Sequence, residues 1–298
     1  MHTNNLRGVA SMLLAVAVFS VMDALLKLLA AHYAPMQVAF LRGVTSMPFV
    51  LLPVLVRGRA KRLRIVNLRL HLFRGALSVL MLGSFIFAVR ESSLATTYSI
   101  FMCAPLVVAA LSAPMLGESV GRAQWAAICV GLAGVLLMLR PSGGDWVSVG
   151  SIAAVLAAMC YSLAVITLRV LARTDTTESM VFWFTVLLSV GAGLLSIVDW
   201  RPIQHADWPL LVGVGLAGAI AQHFITEAFR NAPVSVVTPL EYTALVWGVV
   251  LDFAIWNVLP GAATLLGGAI VVGAGLYVLR REAVRRRGGS RADHITCN

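Results

Sequence analysis

The apolar residues of this chain come in long unbroken runs, and that constrains its fold more than any other feature. Windows of about twenty residues, the length a helix needs to cross a hydrocarbon core about 30 Å thick, fall at roughly 7–30, 35–56, 70–89, 94–116, 121–139, 148–170, 179–198, 208–229, 233–256 and 260–280. Most connectors between them hold fewer than ten residues, which leaves no room for a soluble domain. In lipid every backbone N–H and C=O must be satisfied within a helix or a closed barrel. The runs are continuous rather than alternating with period two, so helices are expected and a barrel is not. Of the 298 residues, 59% are hydrophobic without counting glycine and only 12% are charged, against about 45–50% apolar and about 25% charged in soluble domains. An ordinary cytosolic domain, a disulfide-rich secreted module and a disordered tail are excluded. The first run holds Asp23 and Lys27, which do not suit the apolar stretch of a signal peptide, so it is expected to be retained.

The net charge of +10 reports topology. Lys and Arg concentrate in cytoplasmic segments of membrane proteins. With the N-terminus inside, the cytoplasmic segments collect Arg7, the run Arg57, Arg59, Lys61, Arg62, Arg64, Arg69, then Arg122, Arg169, Arg173 and Arg230, and the tail from Arg280 to Arg291. The opposite face collects Arg90, Arg140 and Arg201. Both termini are therefore expected in the cytoplasm, with the chain in a cell inner (plasma) membrane and no nucleic-acid partner. The basic tail reads as a topology anchor on anionic lipid. Cys103, Cys129 and Cys160 lie in separate apolar runs and Cys297 in the tail; no spacing suggests a metal site.

A shift of 140 residues aligns the chain with itself. It pairs Arg90 with Arg230, Ala104 with Ala244, Gly121 with Gly261, Leu139 with Leu279 and Arg140 with Arg280, without a gap. The expected organisation is a first repeat at 1–140 (helices one to five), a second at 141–281 (helices six to ten) and a basic tail at 282–298. Five crossings per repeat is an odd number, so the second copy enters the membrane from the opposite face. The fold class expected is an all-α integral membrane protein of ten transmembrane helices arranged as two inverted five-helix repeats, the architecture of many secondary transporters with a substrate site at the repeat interface.

Local motifs carry a family resemblance along nearly the whole helical length. Pro105, then Ala113-Pro114-Met115-Leu116-Gly117-Glu118, Gln124, Gly131 and Gly134 form one set. Pro239-Leu240-Glu241-Tyr242-Thr243-Ala244, Trp247, Asp252, Trp256, Pro260, Gly267, Tyr277 and Arg281-Glu282 form the other. Together they resemble the EamA-type transporters of the drug/metabolite transporter superfamily. The resemblance implies an alternating-access carrier whose substrates range over amino acids and their derivatives, vitamins, nucleosides, opine-type chelators and drugs. One departure is visible: Asn257-Val258 stands where the first repeat has Gly117-Glu118. Export is implied by analogy; the alternatives are an uptake carrier for a vitamin- or nucleoside-like metabolite and a membrane scaffold.

Ionisable side chains inside a membrane are costly unless paired or hydrated, so each is a functional candidate. Asp23 and Arg42 stand at similar depth on consecutive antiparallel helices, which predicts an ion pair, while Lys27 has the length to snorkel to the headgroups. Glu241 falls eight residues into the ninth window with no basic residue within a turn; it must meet an Arg from elsewhere, become protonated, or face water and a cationic substrate. The expected substrate lining is Asp23, Arg42, Tyr98, Glu241, Tyr242 and Trp247. The gating or proton-coupling candidates are Glu241, Arg74, His223, Glu227 and Asp252, with Arg74 paired to Glu227 at an inner gate and His223 one turn from Glu227 as a proton site. No catalytic constellation, metal site or cofactor is expected. The partners expected are a small-molecule substrate and the lipid bilayer, with protons as a candidate coupling ion and a homodimer as a candidate assembly. A lining of both charge signs suits an amphoteric, amino-acid-derived solute.

Overall fold

Short polar residues set the helix starts. Asn67, Ser93, Ser148 and Thr176 each accept a hydrogen bond from a backbone N–H three residues on, satisfying one of the donors a helix leaves open at its N-terminus. Pro35 opens another helix at the position where its missing N–H is not needed. The computed structural model describes residues 2–116, 122–138, 148–232, 237 and 240–295, and all regular structure among them is helical. In chain order the helices are α1 (His2–Ala30), α2 (Pro35–Val56), α3 (Leu68–Glu91), α4 (Leu94–Phe101), α5 (Ala104–Leu116), α6 (Arg122–Met138), α7 (Val149–Leu171), α8 (Thr177–Ser196), α9 (Trp208–Asn231), α10 (Thr243–Leu251) and α11 (Ala262–Ile295). A wider helical turn, Asp252–Trp256, extends α10 and ends at Asn257, whose φ of 57° is left-handed.

Six stretches are long and apolar enough to cross a bilayer: Leu6–Ala30, Pro35–Val56, Leu68–Glu91, Val149–Leu171, Thr177–Asp199 and His205–Asn231. The other four windows appear as shorter apolar helices, Leu94–Val108, Trp125–Gly134, Thr243–Trp256 and Ala262–Tyr277. The fourth window is not one helix. It is interrupted at Met102 and Cys103, between α4 and α5. The ninth is interrupted at Tyr242, just before α10, and the 140-residue shift carries Met102 onto Tyr242. The Gly117-Glu118 turn and Pro239 lie outside the described residues.

Packing follows the same shift. α1 packs on α9 as α3 packs on α7, α2 on α9 as α3 on α8, and α5 on α7 as α1 on α10; α2 with α8 and α6 with α11 complete the set. Exchange of the halves turns each of these pairs into another, or into itself. Two apolar clusters hold the bundle. One is built around Leu94, Ile100 and Leu106 with α7 and α11, the other around Leu26, Leu29 and Ile86 with α2, α8 and α9. Close approach demands glycine at Gly275, where an added Cβ would collide with the Tyr242 hydroxyl. Of the three cysteines described, Cys103 and Cys160 are buried and Cys129 is exposed.

Polar contacts mark two ends of the bundle. At one, the Tyr33 hydroxyl donates to Asp207 (2.6 Å) and accepts from the Gln204 N–H (2.9 Å), and Gln37 exchanges hydrogen bonds with the Arg201 backbone. At the Arg-rich end, Arg62 pairs with Glu178 (3.0 Å), and the Trp183 indole donates to the Leu63 carbonyl (2.8 Å). Here too the imidazole of His71 meets Asp175 at 3.0 Å. An ionised carboxylate only accepts, so the Nε2–H of His71 is the donor. Burial of Asp175 favours its neutral acid, but hydrogen bonds from His71, Thr174 and the Val66 N–H outweigh it and hold the carboxyl below its ordinary range.

Candidate functional site

A cavity of about 170 Å³, open in part to solvent, lies in the middle of the bundle and is lined by residues of both halves. Its wall is mostly apolar, with Phe19, Phe85, Phe101, Phe184 and Phe229 among its aromatic residues. It sits asymmetrically along the bundle. Towards the Arg-rich end the lining reaches Leu168, three residues before the end of α7, and Phe229, two before the end of α9. Towards the Tyr33 end it stops at Asp23, seven residues short of Ala30, at Arg42, seven after Pro35, at Phe85, six before Glu91, and at Tyr98, four after Leu94. Seven helical residues span roughly 10 Å.

The cavity brings together Asp23, Arg42, Arg74, Tyr98 and Glu241, all under 9% exposed. The Tyr98 hydroxyl donates to Asp23 at 2.7 Å, and its ring stacks on Phe85 with centroids 6.1 Å apart. Arg42 and Asp23 are within electrostatic reach, but the expected ion pair is not formed: no N–O distance between them falls under 4 Å. Tyr98 takes the carboxylate instead, and the Arg42 Nε–H points to the Met22 sulfur at 3.2 Å. Gly218 on α9 makes room for this, since a Cβ there would stand 2.9 Å from the Ser46 hydroxyl and 3.3 Å from the same sulfur. One terminal nitrogen of Arg42 is buried without a hydrogen-bond partner. Arg74 donates to the Met180 carbonyl at 3.1 Å. The guanidinium carbons of Arg42 and Arg74 both lie over the Phe184 ring, 5.8 Å and 5.1 Å from its centroid. Glu241 faces the Tyr161 hydroxyl and lies within electrostatic reach of Arg169, both from α7.

The remaining sequence candidates stand elsewhere. Tyr242, at the helix break, is buried against Gly275 of α11 rather than in the cavity wall. Trp247 is 39% exposed on the outside of the bundle. His223 is exposed as well, one turn before Glu227 on α9 and outside the cavity wall. The expected Arg74–Glu227 pair is absent because Glu227 is engaged by Thr177 (3.1 Å) and Asn231 (2.9 Å), while Arg74 turns inward to Met180. Lys27 does not snorkel: its ammonium lies 3.3 Å from Asp252 and 4.4 Å from the centre of the Trp256 ring. Asp252 in turn accepts the backbone N–H groups of Leu94 (3.1 Å) and Ala95 (2.7 Å), closing the start of α4 at the Tyr33 end.

Sequence reasoning missed Phe184, Gln222 and Tyr161 in the wall and Arg169 beside Glu241. The signal that could have found the last two is their spacing, eight residues apart on one face of α7. Among the described residues no group of three or more His, Cys, Asp or Glu could hold a metal ion.

A bundle of apolar helices long enough to cross a bilayer, around a buried cavity that holds charged side chains, defines a multi-pass membrane protein. The model of the EamA-like transporter family matches residues 6–140 and again 148–280, so the chain belongs to that family, within the drug/metabolite transporter superfamily. An uncharacterized transporter of Helicobacter pylori is 29% identical over 93% of this chain and 96% of its own length. The pseudopaline exporter CntI of Pseudomonas aeruginosa is 27% identical over 92% of this chain and 96% of its own. A crystal structure that is 19% identical in sequence superposes with a TM-score of 0.68, covering 96% of this chain and 99% of the other, and shares the fold.

Proposed function

We propose that the protein is an alternating-access carrier of the inner membrane that exports a small amphoteric, amino-acid-derived metabolite. Ten membrane crossings in two inverted repeats supply the two states. The exchange of packing pairs between the halves, the paired interruptions at Met102 and Tyr242, and the match of the family twice along the chain support this. Each half can take the conformation of the other, which moves the opening of one central cavity from face to face. With the Arg-rich end in the cytoplasm, the cavity described here is the inward-facing state. Export is supported by the exporter among the relatives.

One observation carries the substrate reading: two basic groups, Arg42 and Arg74, and two acidic groups, Asp23 and Glu241, share a single cavity. A solute bearing both an acid and an amine can satisfy both parts, where an apolar drug would leave them unpaired. Glu241, with Tyr161 as its neighbour, is the proton-coupling group. The test compares metabolites inside and outside cells with and without the gene. An amino-acid-like solute retained by cells lacking it is the expected result; no difference in any solute refutes the carrier. The Glu241→Gln protein is expected to lose the pH dependence of transport, and unchanged pH dependence removes the coupling role.

A further inference from the structure

Arg42 and Arg74 are 4% and 5% exposed, and among the described residues neither has a carboxylate oxygen within 4 Å. Arg42 has a buried terminal nitrogen with no partner, and the one hydrogen bond of Arg74 goes to a neutral carbonyl. Guanidinium groups carry five donors and stay charged, and a buried charge without a counter-ion is strongly destabilising. Asp23 acts on Arg42 only at a distance, so donors of both guanidinium groups are open to anions from outside the chain. Their spacing is bounded. Each Cζ is within 6 Å of the Phe184 ring centroid, so the two are at most about 10.9 Å apart. A carboxylate held by both oxygens places its carbon roughly 4 Å from a guanidinium carbon. Two carboxylates gripped in this way are therefore joined by a short spacer, with the Phe184 ring beside them.

The geometry points to a two-point acid clamp: the transported solute carries two carboxylates on a short carbon spacer, one on Arg42 and one on Arg74, with its amine turned to the Asp23 and Glu241 side. This rests on the carrier reading and narrows it, from a zwitterion with one acid group to an amino diacid. Arg42 takes the acid that completes its bonding; Arg74 keeps its Met180 contact and presents its remaining N–H groups. The clamp explains why two arginines share the neighbourhood of one aromatic ring and neither contacts Asp23, which Tyr98 holds.

The test uses the purified full-length protein in detergent at fixed ionic strength, with thermal unfolding as the readout. The probes are malonate, succinate, glutarate, aspartate and glutamate, with butyrate, glutamine and sulfate as controls. At least one short diacid is expected to raise the unfolding temperature at concentrations on the order of 10 mM, with its single-acid counterpart weaker. Arg42→Gln and Arg74→Gln should each weaken that apparent affinity by about tenfold or more. Arg74→Lys, which keeps a donor for the Met180 carbonyl, guards against simple misfolding and should also weaken it, because an ammonium cannot grip both oxygens. The clamp is overturned if no diacid stabilises the protein, if single acids bind as tightly, or if diacid binding ignores both arginines. The carrier reading can survive all three: stabilisation by glutamine that depends on Glu241 would leave a zwitterion site, and that reading falls only on the metabolite comparison.

Discussion

Removing the carboxylate of Asp252 should open the cavity towards the Tyr33 end. Asp252 is 1% exposed and binds three groups at once: the N–H of Leu94, the N–H of Ala95 and the ammonium of Lys27. Those partners belong to α4 and α1, while Asp252 itself follows α10, so one side chain ties together three elements from both halves. Asp252→Ala leaves two helix N-terminal donors and a largely buried ammonium without an acceptor. Breaking a buried charged pair from one side typically costs about 3–5 kcal/mol. If the clasp exists only while the cavity reaches the Arg-rich end, that cost falls on this state alone, and at about 1.4 kcal/mol per decade the equilibrium moves by roughly a hundredfold or more. Asp252→Asn keeps one acceptor oxygen, so a smaller shift is expected. Hydrogen exchange at the amides of residues 94–96 reads the clasp directly, and the unfolding temperature reads overall stability. Faster exchange there, together with greater access to the cavity from the Tyr33 end, is the expected result. A lowered unfolding temperature with access unchanged would refute the reasoning, because the clasp would then be a static brace present in both states.

Tyr98→Phe removes the one hydrogen bond that Asp23 accepts among the described residues, and the resulting buried carboxylate should destabilise the protein by about 1–3 kcal/mol, read as a lower unfolding temperature that Asp23→Asn in the same background largely restores. Asp175, whose carboxyl is held below its ordinary range in the fold, contributes stability above the unfolded carboxyl value of about 3.9 that is lost as pH falls. The wild type should therefore lose more stability between pH 5 and pH 3 than Asp175→Asn does, and equal losses in unfolding scans would count against that role.

Much of the architecture was legible because bilayer thickness fixes helix length: all ten windows contain helix in the residues described. The break at Met102 and Cys103 has its signal two residues on, in Pro105, which has no N–H to donate to the Phe101 carbonyl and stands in the first turn of α5. Within the site, Arg42 and Glu241 could be singled out because burying their charge in an apolar helix is costly. Facing was harder. Lipid and protein interior are equally apolar, so a membrane helix shows no polar stripe, and nothing in the sequence says that Tyr242 turns to Gly275 or Trp247 to the outside. Arg169 was counted as a cytoplasmic charge, yet it lies in the last turn of α7 within reach of Glu241. One residue can serve both topology and site. Phe184 carries no charge and no pattern, and only the fold brings it within 6 Å of two arginines.

The most direct measurement places one cysteine in the cavity and asks from which side it can be reached. Ser78 lines the cavity in the middle of α3 and is 1% exposed, so a cysteine there, in a chain whose native cysteines are replaced, is accessible only through the cavity. A membrane-impermeant maleimide is applied to spheroplasts and to inverted vesicles. An alternating carrier gives labelling from both faces, faster from the cytoplasmic face in the parent and shifted towards the external face by Asp252→Ala. Labelling from one face alone, in both backgrounds, would contradict a cavity that opens alternately to the two sides of the membrane.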